Sequence, residues 1–281
     1  MINPLKGRTM LRLARFAPLF LLAACASTQP GTPAPSPEVV KQIAPSGKLR
    51  AAINFGNAVL AQKGPSGEAK GISVDLATEL ARRLGVPLDP VYYDAAGKVA
   101  AGAKKGEWDV GFVALDPERA QDIDFTAAYV VIEGGYMVRV DSPLKAVEDF
   151  DRKGQRIVVG NKSVYDLYLT RTIKNAELVR APTTPLAQEE FLADKARKFD
   201  GLAGIKGPMM RYADAHPAEV RVIPGRFMAI EQAMALPKGR DPAALAYLKA
   251  FVEEQKASGF VARGLERSGQ SDANVAPLAA K

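Results

Sequence analysis

The sequence predicts an α/β protein of two lobes joined by a pair of long strands. Three observations carry that reading. Short strand-like apolar runs alternate with helix-period segments, the pattern of mostly parallel sheets covered on both faces. Two long extended runs, from Tyr129 to Val140 and from Phe227 to Leu236, bracket a second α/β set, as an inserted lobe with a double hinge would require. No segment beyond the N-terminus is long and apolar enough to span a membrane as a helix.

The N-terminus reads as an export signal over residues 1–24. Lys6, Arg8, Arg12 and Arg15 precede the apolar run from Phe16 to Ala24, and that run is too short to cross a bilayer. The signal ends in Leu22-Ala23-Ala24-Cys25, and Cys25 is the chain's one cysteine. With a single cysteine no internal disulfide can form, so the folded part must be held by its core. Residues 25–45 follow as a Pro-, Ser- and Thr-rich tether, with too little apolar surface to fold. The formal net charge is +7. The four signal-segment cations have no acid to offset them, which leaves +3 on the rest. There, basic and acidic residues alternate without a long basic run, so no nucleic-acid partner is expected.

The elements follow in order. Leu49 to Phe55 is a strand, and Val74 to Leu84 is a helix with Leu76, Leu80 and Leu84 on one stripe, closed by Gly85 and Pro87. Val91-Tyr92-Tyr93 is a second strand, Lys98 to Lys105 a short helix, and Trp108 to Val113 a third strand. Inside the bracket come strands at Ile157-Val158-Val159, Leu178-Val179 and Gly201 to Ala203. They alternate with helices from Ser163, near Pro185 to Ala193, and near Pro208 to Ala215. After Leu236 only helices are expected, the first with Leu245, Leu248, Phe251 and Val252 on its buried face. This gives a first lobe of residues 46–135 and 228–267, a second lobe of 136–227, and a loose tail at 268–281.

Several stretches together resemble the polar-amino-acid-binding receptors of ABC importers, the extracellular solute-binding proteins of family 3. They are Gly47-Lys48-Leu49-Arg50, Gly71-Ile72-Ser73-Val74-Asp75-Leu76-Ala77, Trp108-Asp109-Val110, Asp116-Pro117-Glu118-Arg119 and Ile123-Asp124-Phe125-Thr126-Ala127-Ala128-Tyr129. The similarity runs from about Ser46 to Gly269. It implies a periplasmic-binding-protein-like fold, a ligand in the cleft between lobes, and a permease partner in the inner membrane. Cys25 similarly resembles the acylated cysteine of a bacterial lipobox, which implies a membrane attachment through a lipid anchor in the periplasm. Ala26, rather than Asp, follows it, the arrangement that in Gram-negative lipoproteins usually permits sorting to the outer membrane.

Arg119 matches the arginine that pairs with the ligand's carboxylate in that family. Asp116 suits an N-cap and Pro117 a first helical position, which places Arg119 in a first turn. A cation there is unfavourable without a nearby anion, and a ligand carboxylate would supply it. Pairing with Glu118 or Asp122 on the surface is the alternative. Ser163 and Val164 match the turn that offers a helix N-terminus to the same carboxylate, with Ser163 and Asp166 also placed as a capping pair. Lys162 replaces the family's usual glycine there. Ala114 and Asp116, flanking the turn into Arg119, and Asn57, in the first strand-to-helix loop, complete the expected set. In that loop Val59 and Leu60 stand where relatives carry an aromatic lid, and Phe55 is either a cleft wall or a core residue.

The informative departure is Ile205. Asp200 keeps the first of two aspartates typical of the family, but Ile205 stands where the second would bind an α-ammonium. An ammonium buried against isoleucine is uncompensated. Either the ligand lacks that group or another acid replaces the aspartate, with Glu133 at the crossover as the candidate. Lys98 either holds a second anionic group or is an exposed lysine. His216, the one histidine, reads as a surface loop residue, and no metal-ligand cluster, P-loop, nucleophile elbow or dinucleotide fingerprint occurs. No metal or cofactor is expected, and a monomeric binder of a small carboxylate-bearing ligand, amino acid or organic acid, is favoured over an enzyme. The enzymatic alternative on this fold resembles cyclohexadienyl dehydratase, with Glu133 and Lys98 as its suspects. A ligand-presenting sensor module would use the same clamp.

Overall fold

A computed structural model describes residues 32–280; the signal segment and Cys25 lie outside them. Helix α1 (Pro37–Ile43) leads to β1 (Leu49–Asn54), a small hairpin of β2 (Gln62–Lys63) and β3 (Ala69–Lys70), α2 (Ile72–Leu84), β4 (Leu88–Tyr93), α3 (Ala96–Lys104) and β5 (Val110–Ala114). The crossing strand β6 (Ile123–Arg139) enters the second lobe. That lobe holds β7 (Arg156–Gly160), α4 (Val164–Thr172), β8 (Glu177–Ala181), α5 (Thr184–Ala193), β9 (Gly201–Ile205), α6 (Lys206–Ala215) and β10 (Val220–Val222). The chain returns on β11 (Met228–Pro237) and ends with α7 (Pro242–Ala257), α8 (Phe260–Arg267) and β12 (Asn274–Val275).

The strand order is β4-β1-β5-β11-β6-β9-β7-β8. Parallel pairs β1/β4 and β1/β5 build one lobe, and parallel pairs β7/β8 and β7/β9 the other. The two long strands join them. β6 pairs with β11 from Ile123 to Gly134, and with β9 from Gly134 to Met137. The periodic helices cover the sheet as their sequence dictates: Leu76, Leu80 and Leu84 of α2 are buried, and Gly85 ends the helix in the left-handed region at φ 67°. Trp108 is fully buried and donates its indole N–H to the Val99 carbonyl at 2.8 Å.

Two terminal expectations are corrected. The tether ends earlier than residue 45, because Ser36 caps α1 and Val39 and Ile43 bury against the body of the protein. Thr32 donates its N–H to Glu254, which also pairs with Arg83 of α2 at 2.6 Å. The stretch after Ser268 is a strap rather than a loose tail. β12 pairs with Val130 and Val131 of β6, and Ala276 donates to the Tyr129 carbonyl. The buried Lys256 ammonium of α7 donates to the carbonyls of Ala128 and Pro277. Asp272 reaches Arg211 on α6 at 2.6 Å, so the strap touches both lobes.

Removing residues 270–281 strips an acceptor from a buried ammonium, at a cost of about 2 kcal/mol or more. Thermal unfolding of the truncated chain is expected roughly 4–8 °C lower. The Arg83 guanidinium holds the Glu254 carboxyl down to about 2 from its ordinary 4.5. Its stabilising contribution is therefore fully present above pH 4.5 and is lost as pH falls toward 2. Urea titrations across that window should show a steeper acid loss for the parent than for Glu254→Gln.

Candidate functional site

The site grows from the turn after β5. Asp116 accepts the Glu118 N–H at 2.9 Å, and the chain makes one 3-10 turn, Arg119–Gln121, before entering β6. The expected α-helix is absent, so there is no helix dipole acting on Arg119. The guanidinium is instead carried inward by the end of the strand. Arg119 is 4% exposed, and it donates to the Ala114 carbonyl at 3.0 Å and across the cleft to the Lys162 carbonyl at 3.1 Å. Its Nε has no partner among the described residues. No carboxylate lies within ion-pair distance of it among the described residues; burial lowers its pKa to about 10, which leaves it cationic at neutral pH.

Facing it, β7 ends at Gly160 and α4 begins. Ser163 accepts the Asp166 N–H at 3.1 Å, and Asp166 accepts the Lys162 N–H at 2.8 Å, a reciprocal cap. The amides of Val164 and Tyr165 find no backbone acceptor among the described residues. Lys162 sits in the left-handed region at φ 54°, which explains why glycine suits this position and how lysine alters it. The lobes touch here: Lys162 pairs with Glu118 at 3.3 Å, and Arg171 with Asp116 at 2.8 Å.

Between the two faces lies a void of about 30 Å3, lined among others by Asn54, Asn57, Ala114, Arg119, Ser163, Val164, Thr184, Ile205 and Gln232. Among the described residues, Arg119 is the one ionised side chain on its wall, and no acid lines it. Gln232 had no sequence signal. It lies on β11 where the pairing with β6 slips between Gln232 and Ala233, and such an irregularity re-aims side chains. Tyr165 and Thr184, hydroxyl to hydroxyl, were likewise not foreseen. Burial pushes the Tyr165 hydroxyl up to about 12, which keeps it a neutral donor. Gly56 must be glycine, because a Cβ would lie 2.3 Å from the Asp94 carbonyl oxygen.

The structure brings Arg119, Ser163, Val164, Ala114 and Asn57 to the void and leaves three expected residues outside it. Glu133 is not free to receive an ammonium: Lys206 and Arg226 hold it at 3.0 and 2.9 Å and keep its pKa low. Lys98 is 60% exposed and pairs with Asp94 one helical turn away. Asp116 is buried but pairs with Arg171. Neither suspect for dehydratase chemistry lines the void. Val59 and Leu60 are core residues rather than a lid, and Phe55 stacks on Tyr92 at 5.2 Å. Asp200 accepts the Arg156 N–H at the exposed start of β9.

Two α/β lobes, two crossing strands and a cationic void between them define a binding protein of the periplasmic-receptor type. The chain belongs to the bacterial extracellular solute-binding proteins, family 3, whose model matches residues 50–269. A search of curated protein sequences finds no match. Among solved structures it is similar to a mutant of ArgBP from T. maritima, at 22% identity and TM-score 0.70, over 83% of this chain and all of that one. It is also similar to a putative ABC-transporter binding component from Wolinella succinogenes complexed with lysine, at 24% identity and TM-score 0.67, over 79% of this chain and 95% of that one. A third is the cysteine-binding protein of Campylobacter jejuni, at 18% identity and TM-score 0.71, covering 84% and 94% respectively.

The left-handed residue gives a direct test. Lys162→Gly relieves the backbone while losing only an exposed ion pair, so stability is expected to stay within about 1 kcal/mol of the parent. Lys162→Val puts a β-branched residue at the same φ and should lose about 1–3 kcal/mol in urea unfolding.

Proposed function

We propose that the protein is the periplasmic receptor of an ABC importer and captures a small carboxylate between its lobes. One observation carries the reading: a fully buried guanidinium without a carboxylate partner, on the wall of a void that contains no acid. Such a cation is costly unless an anion joins it, and the amides of Val164 and Tyr165 stand ready on the opposite lobe. A carboxylate bridging Arg119 and the start of α4 touches both lobes, and only such a ligand favours their closure.

The void is too small for more than a water or two, so entry requires the lobes to part along β6 and β11. Ile205 and the pairing of Glu133 leave no acid there for an α-ammonium, and this favours organic acids over free amino acids. The amino-acid ligands named for similar proteins belong to those proteins. Export by the segment 1–24, acylation at Cys25 and delivery to an inner-membrane permease complete the proposal.

Arg119→Met separates binding from folding. Removing a buried, unpaired charge should leave the free protein as stable as the parent or more so. It should abolish the thermal shift that carboxylates produce, a shift worth about 2.7 kcal/mol at a hundred times the dissociation constant. A retained shift would place the anion elsewhere.

A further inference from the structure

Beside the Arg119 void, sharing Gly56, Thr184 and Ile205 with it, lies a second cavity of about 330 Å3. It is a slot in the second lobe, with β9 as its floor and α5 and α6 as its walls. Leu202 and Met209 are buried along it, and Leu192 and Tyr212 are half-buried. Phe55 and Ala58 of the first lobe border it, and its polar side chains are Thr184, Gln188 and Glu189 of α5 and Tyr212 of α6. The polar head site is therefore an order of magnitude smaller than the apolar space next to it, and the step between them is formed by Ile205 and Thr184.

A ligand whose carboxylate reaches Arg119 has no room for bulk at that point. The space that can take its bulk is largely apolar, its one acid, Glu189, being solvent-exposed, and it borders the head site at an isoleucine. We infer that the slot between α5 and α6 receives the apolar body of the same ligand, so that the substrate class is monocarboxylates carrying an uncharged chain or ring without an α-ammonium. This inference rests on the carboxylate reading of Arg119. Ile205 then has a positive role as the apolar sill between head and tail, and burial along Leu202 and Met209 supplies the affinity that a single ion pair does not.

The test is a thermal-shift and calorimetric series of propanoate, butanoate, pentanoate and hexanoate with the full chain. Affinity is expected to rise about four-fold per methylene. Hexanoate should bind at least about ten-fold tighter than 2-aminohexanoate, which differs only by an ammonium that would meet Ile205. Filling the slot from either lobe, by Ala58→Trp or Gln188→Trp, should reduce the hexanoate-to-propanoate affinity ratio at least about ten-fold. A flat series, a ratio unchanged in both variants, or tighter binding of 2-aminohexanoate overturns the inference. If Arg119→Met still abolishes binding in those cases, the carboxylate site survives and only the slot's role fails. If Arg119→Met binds the series like the parent, the carboxylate reading fails and takes the inference with it. Absence of any shift up to about ten millimolar, where a carboxylate bound this way would be detected, overturns both.

Discussion

Everything at the cleft depends on one guanidinium being carried into the interior without a carboxylate of its own. Arg119 is anchored by the Ala114 carbonyl at the end of β5 and the Lys162 carbonyl at the start of the second lobe. Both acceptors are neutral backbone groups, which satisfy hydrogens but leave the charge uncompensated. The surrounding carboxylates have been assigned elsewhere: Asp116 to Arg171, Asp166 to Arg180, and Glu133 to Lys206 and Arg226. The protein thus pairs its acids with other cations and reserves this one. Stability is not improved by that choice, and the proposed ligand carboxylate supplies its rationale.

The same contact couples charge to closure. Because Arg119 belongs to the first lobe and the Lys162 carbonyl to the second, the hydrogen bond between them is made only when the lobes meet. Lys162 adopts φ 54° to present that carbonyl while its N–H serves Asp166. Backbone strain at the second lobe is thereby tied to the position of the first. β6 and β11 are the strands that join the lobes, and the strap from Ser268 onward lies along them, with β12 on Val130 and Val131 and Asp272 on α6. A segment that pairs with the crossing strand and also grips the second lobe adds a further connection between the lobes, beside β6 and β11.

The sequence made the lobes legible because its apolar periods are strong. The α2 stripe, the buried β1 and β5 strands and the two long crossing strands are each set by local pattern, and local pattern is what a sequence displays. Arg119 was legible through its motif rather than its physics, whereas Ser163 was legible both from its motif and as a helix cap with Asp166. The dipole argument for Arg119 required a helix, and Asp116-Pro117-Glu118 delivers only a three-residue 3-10 turn. The misplaced residues share a cause. Glu133 and Lys98 lie near the crossover and the second loop in sequence, but strand register and helix phase decide which way a side chain faces. Register puts Gly134 opposite Ile205 and so brings Lys206 to Glu133, and Asp94 lies one turn before Lys98. The strap was illegible because β12 is two residues long and its stability comes from a partner more than 140 positions earlier.

Ile205 shows how such a departure is to be weighed. Taken alone, one isoleucine in place of an aspartate admits a compensating acid anywhere nearby. The structure removes the nominated compensator: Glu133 is neutralised by two cations, and the void's wall carries none of its own acids. Placing an α-ammonium there would leave two cations, ligand and Arg119, sharing one carboxylate in a space that admits little water. The isoleucine also faces an apolar slot on its other side, where an aspartate would border Leu202 and Met209 at a desolvation cost. One isoleucine thus suits both neighbours, the acid-free void around Arg119 and the largely apolar slot, and the proposed change of ligand class accounts for it.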